Sequence, residues 1–401
     1  MHYEHFASSA IYDLHLGAQQ ITRSRLGGGH IGPARLARVR AVQFQAFGGP
    51  LEVVDVAEPE PPAHGAVIGV EATGVCHSDW HGWQGNDPDI TVPHIPGHEF
   101  AGVVHAVGPL VRHWRGGERV TAPFVCGCGA CAMCARGDQQ VCERQTQPGF
   151  THDGSFAEQV VVHHADVNLV GLPDGLDPVG AAALGCRFAT AYRAVVQQGR
   201  PEPGEWLAVH GCGGIGLSAI MVAVAAGARV VAVDISPAAL ALAADLGAEA
   251  FINPSELATA GSADAERDDV SAAAAHVGAA VRDATDGGAP ISIDAVGSLV
   301  TCATSVHSLA RRGRHIQVGL LPSARGVPPV PMDRLISQEL EILGSHGMAA
   351  HAYPPMLAAV RAGKLRPQQL VTRRIALDAV PDVLAAIGQP DAQPGITVAQ
   401  L

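Results

Sequence analysis

One short stretch restricts what this chain can fold into more than any other: Val209-His210-Gly211-Cys212-Gly213-Gly214-Ile215-Gly216. It fits the pattern G-x-G-x-x-G. Alone that pattern is weak, but its surroundings here are specific. An apolar, strand-like run (Trp206 to His210) leads into it and a helix-like run (Ile215 to Ala226) leaves it. Asp234 then closes the next strand-like run, Arg229 to Val233. Strand, tight glycine turn, helix and a strand ending in an acid form the opening of a doubly wound, dinucleotide-binding sheet. Gly211 permits the turn, Gly213 lets the backbone approach a pyrophosphate, and Gly216 lets helix and strand pack closely. With Gly214 and Ile215 they present free helix N-terminal N–H groups to an anion. The Asp234 carboxylate can accept hydrogen bonds from both ribose hydroxyls and repels a 2′-phosphate, which favours NAD over NADP.

The pattern continues downstream. Ser236-Pro237 reads as a helix start and Gly247 as its end. Further strands are expected at Ala250 to Ile252, Ile291 to Ala295, His315 to Val318 and Leu340 to Leu343, making a six-stranded parallel sheet. The Ala- and Asp-rich stretch from about Thr259 to Ala275 reads as an exposed insertion without chemistry. Upstream, residues 40–189 show short β-like runs between Gly and Pro turns (Ala66 to Val70, Phe100 to Val107, Arg119 to Ala122, Phe156 to Val162), as in a β-rich domain. Residues 1–39 carry a Gly27-Gly28-Gly29 run and no sustained period. They are expected to be a disordered extension, with the native start near Val39.

The 401 residues suffice for two domains with buried cores, and 47% hydrophobic content excludes a disordered chain. A formal charge of −12 argues against nucleic acid or an anionic membrane as partner. There is no bilayer-length apolar run and no apolar signal core at the start, so a cytoplasmic location is expected. In that compartment the nine cysteines point to metal or catalysis rather than disulfides.

Four of them, Cys128, Cys131, Cys134 and Cys142, fall within one short loop-like segment. Tetrahedral Zn²⁺ takes four thiolates at about 2.3 Å, and such a closed site is structural. Cys126 is a fifth nearby thiol that can replace Cys128 in principle, though its spacing fits less well. A second set is dispersed: Gly74-Val75-Cys76-His77-Ser78-Asp79-Trp80-His81, Pro96-Gly97-His98-Glu99 and Gly185-Cys186-Arg187-Phe188. Spacing alone does not join these three. Chemistry says only that two thiolates and an imidazole can hold zinc with one position open.

Taken in order, these motifs resemble the zinc-dependent alcohol dehydrogenases of the medium-chain dehydrogenase/reductase family, from about Val39 to the C-terminus. The resemblance implies a GroES-like, β-rich catalytic domain (40–189), a Rossmann domain (190–343) and a return to the catalytic domain over 344–401. It implies two zinc ions per chain. Cys76, His98 and Cys186 would hold the catalytic ion, and Cys128, Cys131, Cys134 and Cys142 the structural one. Asp79 would orient His98, Glu99 would stand beside the metal, Ser78 and His81 would form a proton relay, and His77 would face the cofactor pyrophosphate. The implied reaction is NAD-linked interconversion of an alcohol with its aldehyde or ketone, in a homodimer or homotetramer.

Two departures stand out. Ala239 replaces a Lys that often supports the adenosine ribose, and Ile396 replaces an Arg that often meets the pyrophosphate. Weaker NAD binding is expected from both. Arg187, beside Cys186, could intrude on the cofactor or substrate cleft, but the preferred reading is an exposed or ion-paired side chain. Trp80, Trp83 and Phe124 suggest an apolar substrate cleft. A polyol, threonine-type or formaldehyde dehydrogenase on the same scaffold is the main alternative, and a non-catalytic dinucleotide-binding redox sensor a remote one.

Overall fold

The computed structural model describes residues 37–257, 267–321, 326–387 and 394–401. The expected N-terminal extension lies almost wholly outside them. Seven strands come first: β1 (Arg38–Phe44), β2 (Leu51–Ala57), β3 (Ala66–Val75), β4 (Glu99–Val107), β5 (Arg119–Thr121), β6 (Gln159–Val162) and β7 (Val170–Gly171). β1 exposes Arg38 and Arg40 while burying Val39 and Ala41, the alternation of a half-buried strand.

Six strands then alternate with helices: β8 (Trp206–His210), β9 (Arg229–Val233), β10 (Ala250–Ile252), β11 (Ala289–Asp294), β12 (Leu309–Gln317) and β13 (Glu341–Gly344). They pair in parallel in the order β10-β9-β8-β11-β12-β13, a doubly wound sheet that reverses direction beside β8. All of β8 is buried, because helices cover both faces. Finally β14 (Val371–Ala376) and β15 (Ile396–Gln400) rejoin the first half, giving a seven-stranded sheet in which β15 pairs with β3. One core cluster links the halves through the buried segment holding Leu184 and Phe188, which packs with Leu207, Ile220 and Ile293.

Two expectations need correction. The supposed insertion is in part a helix, Arg267–Ala284, which buries Ala274, Val277 and Val281 on one face. Its helical period is masked in sequence by alanine, which serves buried and exposed positions alike; residues 258–266 of the stretch lie outside the described ones. β12 starts at Leu309 rather than His315. Leu309 pairs with Ala289 before a register shift, and the exposed Arg311 and Arg312 interrupt the apolar run. No described helix is long and apolar enough to cross a membrane.

Candidate functional site

The antiparallel register of β3 and β4 sets Gly74 opposite Glu99. Cys76, just past the end of β3, and His98, just before β4, therefore meet at one end of the sheet. Cys76 caps the helix His77–Trp83, and its backbone N–H donates to Asp79 Oδ2 at 3.0 Å. The other carboxylate oxygen, Oδ1, accepts from His98 Nδ1 at 2.7 Å and from the Gly97 N–H at 3.1 Å. Cys186 arrives from far along the chain on a π-helical turn, Leu184–Phe188, a local widening often found at functional sites.

Ligand atoms of Cys76, His98, Glu99 and Cys186 all lie within 4.8 Å of one another, and all four residues are buried. With Nδ1 committed to Asp79, Nε2 of His98 is a buried atom with no hydrogen-bond partner. An unpaired buried imidazole nitrogen costs free energy unless a metal ion or a donor takes its lone pair. Two thiols and that nitrogen are the donor set a zinc ion prefers. Hydrogen bonding from the Cys186 thiol holds the Cys76 thiol well below its ordinary pKa, against the opposing effect of burial.

Glu99 does not stand alone. Arg187 wraps its carboxylate with the backbone N–H (2.9 Å to Oε1), with Nε (2.9 and 3.0 Å to the two oxygens) and with Nη2. Arg187 is thus buried and ion-paired. Behind it, the Tyr353 hydroxyl donates to the Gly185 carbonyl at 3.0 Å. Neither Tyr353 nor the Glu99–Arg187 pairing carried any signal in the sequence, because the partners are remote along the chain.

Ser78 is half-buried, with Oγ 3.8 Å from Cys76 Sγ. On the same helix the rings of His77 and His81 stack at 4.8 Å, and His81 Nδ1 lies 3.2 Å from Asn86 Nδ2. The apolar-cleft expectation fails for Trp83. Its Nε1 donates to the Gly49 carbonyl at 2.8 Å, and its ring packs on Phe44, Ile90 and Phe150, so it is core. Trp80 packs on a neighbouring cluster with Leu384. Phe124 does sit near the site, its ring centroid 6.1 Å from that of His98.

The ligand atoms of Cys128, Cys131, Cys134 and Cys142 also lie within 4.8 Å of one another. Their sulfurs collect N–H donors: the backbone of Cys128 and Arg144 to Cys142 at 3.3 Å, and the Arg144 guanidinium to Cys128 at 3.4 Å. Convergent donors suit thiolates around a cation. Cys126 lies apart. Burial pushes its thiol up to about 12 and its Sγ faces the Pro123 carbonyl, so it does not replace Cys128.

In the second half, Gly211 to Gly216 turn β8 into the helix Gly214–Ala225. A Cβ on Gly216 would fall 1.7 Å from the Gly211 carbonyl oxygen, so helix and strand approach as closely as glycine allows. A Cβ on Gly213 would meet nothing within 4 Å, leaving a clear approach to the helix N-terminus for a phosphate. Asp234 ends β9 beside this turn and accepts from the Cys212 N–H at 2.6 Å and the Ser236 N–H at 2.8 Å.

Comparison with known proteins matches this architecture. Residues 62–174 match the alcohol dehydrogenase GroES-like domain and residues 214–362 the zinc-binding dehydrogenase domain. An alcohol dehydrogenase of Geobacillus stearothermophilus is 34% identical over 77% of this chain and 84% of its own length. The structure of alcohol dehydrogenase TADH from Thermus sp. ATN1 superposes with a TM-score of 0.78 at 30% identity, covering 90% of this chain and 99% of that one. A zinc-binding dehydrogenase from Sinorhizobium meliloti 1021, bound to NADP, superposes with a TM-score of 0.77 at 28% identity, covering 91% and 100%. The chain belongs to the zinc-dependent alcohol dehydrogenases of the medium-chain dehydrogenase/reductase family, with a GroES-like and a Rossmann domain.

Proposed function

We propose that the protein is an NAD-linked zinc alcohol dehydrogenase that interconverts an alcohol with its aldehyde or ketone. The observation that carries this reading is the partnerless Nε2 of His98, buried between two thiols in a chain that also holds an open glycine turn for a dinucleotide. Cys76, His98 and Cys186 would hold one zinc, and Cys128, Cys131, Cys134 and Cys142 a second. When bound, the zinc supplies Lewis acidity toward an alcohol oxygen and the nicotinamide supplies the hydride acceptor.

The chain's own residues do the rest. Asp79 fixes His98 with its proton on Nδ1, which turns the lone pair of Nε2 inward. Ser78, beside Cys76, would accept the hydroxyl proton as it hands on its own, and a ribose hydroxyl of the bound cofactor would carry the charge to His81, on the next turn of the helix, which releases a proton outward. Asp234 discriminates against a 2′-phosphate at the ribose. His77 is assigned to the pyrophosphate side of the cofactor.

A second copy of the chain is the proposed partner. β13 is the edge of its sheet, and Leu320, Met332, Ile336 and Ile342 near it are all exposed apolar side chains. The catalytic assignment is tested by Cys76→Ser. The variant should fold, lose one of two zinc ions and lose nearly all turnover; an unchanged rate refutes the mechanism.

A further inference from the structure

Arg187 does more in this structure than neutralise Glu99. Its residue is 7% exposed, yet only one edge of the guanidinium is used: Nε and Nη2 face Glu99. Among the described residues, Nη1 donates to no acceptor. A guanidinium carries five N–H donors, and one held by a single carboxylate has donors left for a second anion.

Where that unused edge lies decides the matter. A Cβ on Gly214 would sit 2.5 Å from Arg187 Cδ, 3.3 Å from Nη1 and 3.4 Å from Nε. Gly214 is the first residue of the helix that follows the glycine turn. The Arg187 side chain therefore packs against Gly214, in the first helical turn, whose leading backbone N–H groups have no partner within the helix. The neighbouring Gly213 opens to clear space. Gly74 makes room on the other side, since a Cβ there would fall 2.4 Å from Glu99 Oε2 and 3.0 Å from Arg187 Nη2. Two glycines from different domains thus shape the slot that holds one arginine. Glu99 balances the charge from one edge, and the edge toward the helix adds an N–H donor to those of the first helical turn, both of the sign an anion seeks.

We propose that Arg187 is a ligand of the dinucleotide diphosphate. Nη1 donates to a phosphate oxygen seated on the first turn of the helix, while Glu99 clamps the opposite edge and fixes the plane of the fork. The assignment rests on the reading that a dinucleotide occupies the glycine turn. It makes Glu99 a positioning residue for the cofactor in addition to any part it has beside the zinc.

The test is calorimetric titration of the zinc-loaded full-length protein with NADH, ADP-ribose and adenosine. Arg187→Gln alone leaves a buried carboxylate unpaired and endangers folding. The informative variants are therefore the double change Glu99→Gln with Arg187→Met, which removes both charges, and Arg187→Lys, which keeps the charge but loses the fork. The double variant should bind NADH and ADP-ribose about 10- to 100-fold more weakly, the loss expected for a hydrogen bond to a charged group. Adenosine, which has no phosphate, should bind it as it binds wild type. Arg187→Lys should weaken the two diphosphates several-fold and spare adenosine.

Diphosphate affinities that stay at the wild-type level, or a parallel loss of adenosine, overturn the assignment. If the double variant does not fold, Arg187→Lys decides alone by the same criteria. Wild-type protein that binds neither NADH nor ADP-ribose overturns the dinucleotide reading itself, and the role of Arg187 with it.

Discussion

Replacing Asp79 by Asn tests the support of the proposed zinc site with almost no change in shape. Asp79 is 1% exposed, and its two oxygens accept three hydrogen bonds, from His98 Nδ1, Gly97 N and Cys76 N. An amide offers one oxygen and one donating nitrogen. If the oxygen keeps His98 and Gly97, the new NH₂ faces the Cys76 N–H, donor against donor. That leaves a buried N–H unsatisfied, at a cost of about 1–3 kcal/mol in stability. The opposite flip deprives His98 of its acceptor. Either way the imidazole loses its charged partner, and such partners are worth about 10- to 100-fold in metal affinity, or about 1.4–2.7 kcal/mol. The assay is competition for zinc with a chelator of known affinity, paired with thermal unfolding. One of two zinc sites should weaken by that factor while the four-cysteine site is unaffected. A zinc affinity within about twofold of wild type at both sites would falsify the role given to Asp79.

Two further predictions are simpler. Asp234→Gly should relax the preference for NAD, because the carboxylate that opposes a 2′-phosphate is gone; a variant that rejects NADP as strongly as wild type places selectivity elsewhere. The second concerns acid. Burial lowers His152 to about 4, His307 to about 4 and His210 to about 3. Folded, these rings stay neutral, whereas the unfolded chain takes up protons near the ordinary imidazole pKa of about 6.5. The unfolded state therefore binds more protons as pH falls, and stability, full above about pH 7, should decline from about pH 6.5 towards 4. His152→Gln should flatten that decline in melting temperature measured against pH. A decline as steep as wild type in this variant contradicts the assignment.

How much of this was legible in the sequence depended on distance along the chain. The glycine turn and Asp234 could be read because strand, turn and helix are contiguous, and the structure places β8, the helix and β9 almost where the residues suggested. The four-cysteine lobe was legible for the same reason, and the structure removes Cys126 from it. Cys76, His98 and Cys186 share no local spacing. They meet through the β3–β4 register and a distant π-helical turn, which is why only resemblance to a family joined them. Arg187 was legible only in part, as a side chain beside Cys186 that could reach the cofactor or substrate cleft. Nothing near it in sequence announces Glu99 or Gly214, and its pairing depends on two glycines whose missing side chains make the space. As a ligand of the diphosphate, this buried cation would offset the weakening of NAD binding expected from Ala239 and Ile396. Trp83 misled because an aromatic beside metal-type motifs looks the same whether it lines a cleft or fills a core.

The central claim is that this chain oxidises an alcohol with NAD at a zinc site. Its most direct test is NADH formation by the zinc-loaded protein across primary, secondary, aromatic and polyol substrates, repeated after chelation and after zinc is restored. The account predicts turnover with at least one alcohol, lost on chelation and recovered with zinc. Protein that binds zinc and NADH yet forms no NADH from any alcohol, or turnover indifferent to chelation of the Cys76 site, contradicts it.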